Sequence, residues 1–159
     1  MPESEEGFEY TVNPLSPLMH NTRLILYHKQ PTSARILFCR WQGTTCLFDG
    51  LPADGTVTAS RVEDEPLALT PIPNSLIPEI EERLQLTDGD LRQEKDFQAV
   101  VSDATGTTDI YLAQLAQTDA PHGQMARIEA KLIPITEART LPAIELKLLG
   151  LVYAFLMDG

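Results

Sequence analysis

A proline-started amphipathic segment in mid-chain, with strand-like runs on either side, constrains this fold most. Residues 76–86 place Leu76, Ile80 and Leu84 at every fourth position, with Ile77 beside them. That spacing makes a single apolar stripe on a helix. Asn74 or Ser75 serves as the N-cap, and Pro78 falls in the first turn, where a missing N–H costs nothing. The run from Thr87 to Asp90, with Gly89 inside it, stops the helix.

The flanking runs read as strands. Residues 22–28 and 34–41 carry the β-branched and aromatic content of paired strands, with turns at 30–33 and 42–44 and a short third strand at 45–48. Short strands are expected at 56–58 and 67–69, separated by an acidic loop holding Glu63 and Glu65, while Pro66, Pro71 and Pro73 exclude helix there. Beyond the helix, 97–101 and 109–115 form a hairpin around Asp103 and Gly106. A polar loop covers 117–124, and 127–135 alternates polar and apolar residues as a strand does. A last helix starts near Thr140, with Pro142 in its first turn. Strands, helix, strands, helix, with no internal repeat, predicts an α+β fold: a mixed or antiparallel sheet flanked by helices. Residues 1–21, broken by Pro2, Pro14 and Pro17, read as a loose arm before one domain, 22–159.

Charge narrows the partners. The 159 residues hold 12 basic and 23 acidic side chains, a net charge of −11. A nucleic-acid groove needs a basic stripe, so no nucleic acid is expected, and an anionic membrane surface is equally unsuited. The acidic first ten residues lack the basic start and apolar core of a secretory signal. The longest apolar stretch, 148–157, is about half the ~20 residues of a membrane span. Cys39 and Cys46 make no disulfide framework and read as free, half-buried thiols of a cytoplasmic protein. His20, His28 and His122 are scattered, so no structural zinc site is expected.

One motif carries chemistry. Residues 78–86 resemble the end of a Nudix box, GX5EX7REUXEEXGU with U apolar, and match it at Glu79, Ile80, Glu82 and Leu86. The surrounding order is similar too: strands before the box, a turn at 50–55 like the one that leads into it, a hairpin after it, and a late strand ending in Ile133-Pro134-Ile135. The resemblance covers roughly 22–157 and implies an α/β/α sandwich. Family chemistry clusters carboxylates on one helix face to hold Mg²⁺ or Mn²⁺, which activates water for attack on a diphosphate. Under that resemblance Glu79 and Glu82 are the retained metal ligands.

The departures direct the functional reading. The third carboxylate position of the family holds Arg83, which is always charged and never a metal ligand. Pro78 stands in place of the family arginine and Gln85 in place of its glycine; counted back, Thr70 and Asp64 occupy the upstream glutamate and glycine positions. Arg83 is expected to place a fixed positive charge where the cation would sit, with Glu79 one turn away able to pair with it. The leading expectation is a Nudix-like domain with a degenerate metal site and no cofactor: a non-catalytic ligand-binding or assembly module. The alternative is a divergent Mg- or Mn-dependent pyrophosphohydrolase acting on a nucleoside diphosphate linked to another moiety. In that case Glu63, Glu65, Glu94 or Asp103 supplies the missing carboxylate. Sensing a nucleotide-like small molecule without hydrolysis is a variant of the first reading. Ser60, Ser75 and Ser102 lack a base at triad spacing.

Candidate pocket residues are Arg35 for phosphate, Trp41 and Phe48 for base stacking, and Glu94, with packing in the core as the plainer role for the aromatic pair. A solvated helix face is the plainer reading of Glu79, Glu81 and Glu82. The last helix is apolar around nearly its whole circumference, which predicts either deep burial or a partner. Leu149, Val152 and Phe155 are the interface candidates, for a homodimer or another protein.

Overall fold

In this computed structural model the structure describes residues 22–31, 35–47, 50–61, 76–87 and 89–158. The expected arm at 1–21, Phe48, Glu63, Asp64, Glu65, the strand at 67–69, Thr70 and the N-cap candidates Asn74 and Ser75 lie outside them.

The sheet forms around β1 (Thr22–Lys29), whose central side chains are buried on both faces. β2 (Ile36–Trp41) pairs with it antiparallel, Tyr27 opposite Phe38. β3 (Thr56–Arg61) precedes helix α1 (Leu76–Arg83), and β4 (Leu91–Gln93) follows it. β5 (Phe97–Asp103) and β6 (Gly106–Leu115) make the expected hairpin. Its turn is held by Asp103, whose carboxylate accepts the Thr105 N–H, the Thr105 hydroxyl and the Gly106 N–H. Those donors hold the Asp103 carboxyl below its ordinary pKa. After α2 (His122–Arg127) comes β7 (Ala130–Ile133), then a 3₁₀ helix (Ile135–Thr140) and α3 (Ala143–Asp158).

The strand order is β3-β5-β6-β1-β2-β7, with β4 also on β6. Every pair is antiparallel except β1 and β6, which run parallel with Ile25 opposite Leu112. That long-range crossover makes the sheet mixed.

Alternation along the strands sends side chains to two cores. On one face Leu24, Leu26, Leu37, Cys39 and Tyr111 meet Ile80 and Leu84 of α1 and Met125 of α2. On the other, Ile25, Phe38, Phe97, Ile110 and Leu112 meet Ile144, Leu148, Leu149 and Val152 of α3. The architecture is therefore α+β, a mixed sheet with helices on both faces. No helix among the described residues is long and apolar enough to cross a membrane.

Several local expectations differ from the structure. The third strand at 45–48 is reduced to isolated bridges, Leu24 with Leu47 and Trp41 with Thr44. The strand expected over 127–135 shrinks to β7, because α2 runs to Arg127, Glu129 has a positive φ of 62° and Pro134 has no N–H to give. Cys39 and Cys46 are free, as expected, but fully rather than half buried. Burial pushes Cys39 up to about 12. Cys46 is raised further, by burial and by the neighbouring Glu145.

Candidate functional site: two clefts on opposite faces of the sheet

The acidic helix has three glutamates with three different roles. Glu79 is half-buried and Glu82 exposed. Glu81, by contrast, is only 3% exposed. Its Oε2 accepts the backbone N–H groups of Gly89 and Leu91, both at 2.9 Å. It braces the helix to β4 and is not part of a solvated face. The helix ends through Gln85, whose φ of 60° lets Leu86 N–H reach the Glu81 carbonyl at 2.7 Å. This is the left-handed conformation in which helices commonly close on glycine; here a glutamine adopts it.

Arg83 projects toward β2. Its guanidinium carbon lies 5.9 Å from the centroid of the Trp41 ring, within the range of a cation–π contact. Trp41 is delivered there by a two-residue turn: Gln42 and Gly43 both have positive φ, and Trp41 and Thr44 exchange backbone hydrogen bonds at 2.8 and 3.1 Å. Positive φ at both central residues is what a tight hairpin requires. Trp41, Arg83, Leu84 and Ile128 line a cleft of about 200 Å³. One wall is aromatic, one cationic, and the rest apolar.

The other candidates fall elsewhere. Arg35 is exposed, just before β2. Glu94, after β4, is half-buried on the opposite face of the sheet and accepts a 2.7 Å hydrogen bond from the Tyr27 hydroxyl. It belongs to a second cavity of about 310 Å³, with Tyr27, Lys29, Asp96, Gln114 and Phe155. Burial and the Glu94 carboxylate raise the Tyr27 phenol well above its ordinary pKa, so it stays a donor. The structure thus separates Trp41 from Glu94 by the thickness of the sheet.

The metal chemistry implied by the Nudix resemblance needs clustered oxygen ligands. Among the described residues no three His, Cys, Asp or Glu side chains group closely enough to hold a metal ion. Glu81 is committed to backbone N–H groups, and Asp103 to its turn. Glu79 and Glu82 are the two box carboxylates left, and the Arg83 guanidinium lies over Trp41. Glu63 and Glu65, the other candidate carboxylates, lie outside the described residues.

The interface candidates lie along α3. Leu149 and Val152 are 0% exposed, consumed by the chain's own core. Phe155 is half-buried and meets Phe97 edge-on, ring centroids 5.2 Å apart. The large apolar side chains of α3 that reach the surface are instead Leu146, Leu151 and Met157.

Sequence reasoning also missed Glu145. This carboxylate is 2% exposed and accepts bonds from the Thr44 hydroxyl, the Thr45 N–H and the Thr45 hydroxyl at 2.7, 3.0 and 3.2 Å. It ties α3 to the segment after β2. Its donors are a hundred residues away in sequence, beyond any local signal.

No protein-family model matches the chain, and no curated protein matches it.

Proposed function

We propose that this chain is a non-catalytic ligand-binding module of the cytoplasm, a Nudix-like domain whose cleft beside the box helix takes the anionic or aromatic end of a nucleotide-like molecule. The observation that carries this reading is the Arg83 guanidinium held over the face of Trp41 at the cleft wall. An arginine at such a site offers a planar fork to phosphate or carboxylate, and an indole offers a stacking surface. Leu84 and Ile128 supply the apolar part of the lining. At about 200 Å³ the cleft is smaller than a typical drug-sized pocket of roughly 300–1,000 Å³, so it grips one end of such a ligand.

Binding is favoured over hydrolysis because the acidic helix spends Glu81 on structure and places Arg83 where a third carboxylate is needed. Binding is favoured over assembly because Leu149 and Val152 are already packed inside the chain. The test is calorimetric titration with ADP, with and without Mg²⁺, alongside a phosphate-release assay. Saturable binding that is indifferent to Mg²⁺ and absent in Arg83→Met is expected, with no turnover. Turnover that requires Mg²⁺ and disappears in Glu82→Gln overturns the proposal in favour of a divergent pyrophosphohydrolase.

A further inference from the structure

The second cavity lies on the α3 face, away from the Trp41 cleft, and its chemistry is opposite in sign. Two carboxylates, Glu94 and Asp96, line it. So does the end of α3, where Leu156 offers its backbone carbonyl. The C-terminus of a helix carries a partial negative charge that attracts cations. One cation is built in: Lys29 Nζ donates to that Leu156 carbonyl at 3.4 Å. The lining carries Lys29 against Glu94, Asp96 and a negative helix end, and Arg92 acts on Tyr27 from beside it.

The remaining lining is Tyr27, Gln114 and Phe155. Tyr27 is buried in the core at 2% exposure and reaches the cavity through its hydroxyl, which donates to Glu94 and holds that carboxylate at the wall. Phe155 lines the cavity too, and its own ring is steadied by Phe97. Carboxylates set beside the Phe155 ring favour an organic cation, which gains both an ion pair and a cation–π contact. Burial and the Glu94 carboxylate keep the Tyr27 phenol protonated, so it remains a donor to Glu94. The net charge of −11 adds long-range attraction for the same sign of ligand.

We infer that the cavity between β1, the end of β4 and the end of α3 is a binding site for a small organic ammonium ion, its charged head between Glu94 and Asp96 and its apolar body against Phe155. The volume of about 310 Å³ suits a ligand of one ring or a short chain. The site stands independently of the Trp41 cleft.

The experiment uses phenethylammonium as probe, with 2-phenylethanol as the neutral analogue and phenylacetate as the anionic one. Binding to the full chain is followed by amide chemical shifts and by calorimetry. Phenethylammonium is expected to shift the amides of Glu94, Asp96 and Gln114 saturably, leaving Trp41 unmoved. The neutral and anionic analogues bind at least about tenfold more weakly, a difference of about 1.4 kcal/mol. Glu94→Gln, which keeps the shape and removes the charge, weakens the amine about tenfold, and Asp96→Asn gives a second, exposed variant that leaves the Tyr27 contact intact. Equal binding of all three analogues, no binding of the amine, or binding unchanged in both variants overturns the inference. Failure here leaves ADP titration at Trp41 as before, so the two readings fail separately.

Discussion

Replacing Glu81 tests whether the acidic helix is a structural brace or a reactive face. The two N–H groups it accepts differ in surroundings. Gly89 is exposed, so its N–H regains water when the carboxylate is removed, and its loss costs about 0.5–1 kcal/mol. Leu91 is buried, so its N–H is left without an acceptor, at about 1.5–3 kcal/mol. Glu81→Ala should therefore destabilise the chain by about 2–4 kcal/mol, and urea denaturation reads this directly. At about 2–4 °C per kcal/mol for a domain of this size, the midpoint loss in Tm is roughly 6–12 °C. Glu81→Gln retains a carbonyl acceptor of the same shape and should lose about half as much. Glu82→Ala, at an exposed position one residue on, should stay within about 0.5 kcal/mol of the parent chain. If Glu81→Ala and Glu82→Ala are equally harmless, the brace is not what holds α1 against β4.

Three further outcomes follow from the packing. An ideal Cβ at Gly55 would stand 2.5 Å from Val101 Cγ1 and 3.0 Å from Ile144 Cδ1, so Gly55→Ala should cost about 1–3 kcal/mol by overpacking, read by urea denaturation. Gln85→Gly should stabilise by about 1 kcal/mol, because the φ of 60° at that position strains a residue with a Cβ; a loss of stability in the melt contradicts the left-handed helix end. Cys39 has a folded pKa raised from 9.0 to about 12, so the native state holds its proton longer than the unfolded chain does. Its contribution to stability is complete below pH 9 and is lost as pH rises toward 12. A thiol reagent at pH 8 should accordingly label neither cysteine until urea unfolds the chain.

Short-range patterns carried much of the fold. The stripe Ile80–Leu84, the Asp103–Gly106 turn and the alternation in β1 and β2 each involve neighbours a few residues apart, and each appears where the residues place it. What was illegible depends on distant partners. β4 is three residues long and exists because β6 offers it Leu115, Gln114 and Ala113. The parallel pairing of β1 with β6 joins segments more than eighty residues apart.

The candidate site shows the same division. Trp41 and Glu94 were both legible as pocket residues by type, but the sheet sets them on opposite faces. Arg83 was legible as a departure from the motif, whereas its seat over Trp41 depends on the Gln42–Gly43 turn. The apolar last helix predicts deep burial or a partner without choosing between them, and only the sheet shows which side chains, Leu149 and Val152 among them, are packed inside. Glu145 shows the converse, a carboxylate inside an apolar helix whose three donors come from the segment after β2.

Trp41 is the one tryptophan in the chain, so its emission reports on the cleft alone. The most direct measurement is a fluorescence titration of the parent chain and Arg83→Met with ADP in the absence of divalent ions. The account predicts a saturable change in the parent chain and none in the variant. Identical titrations for the two proteins, or a flat response together with Mg²⁺-dependent release of phosphate, would contradict it.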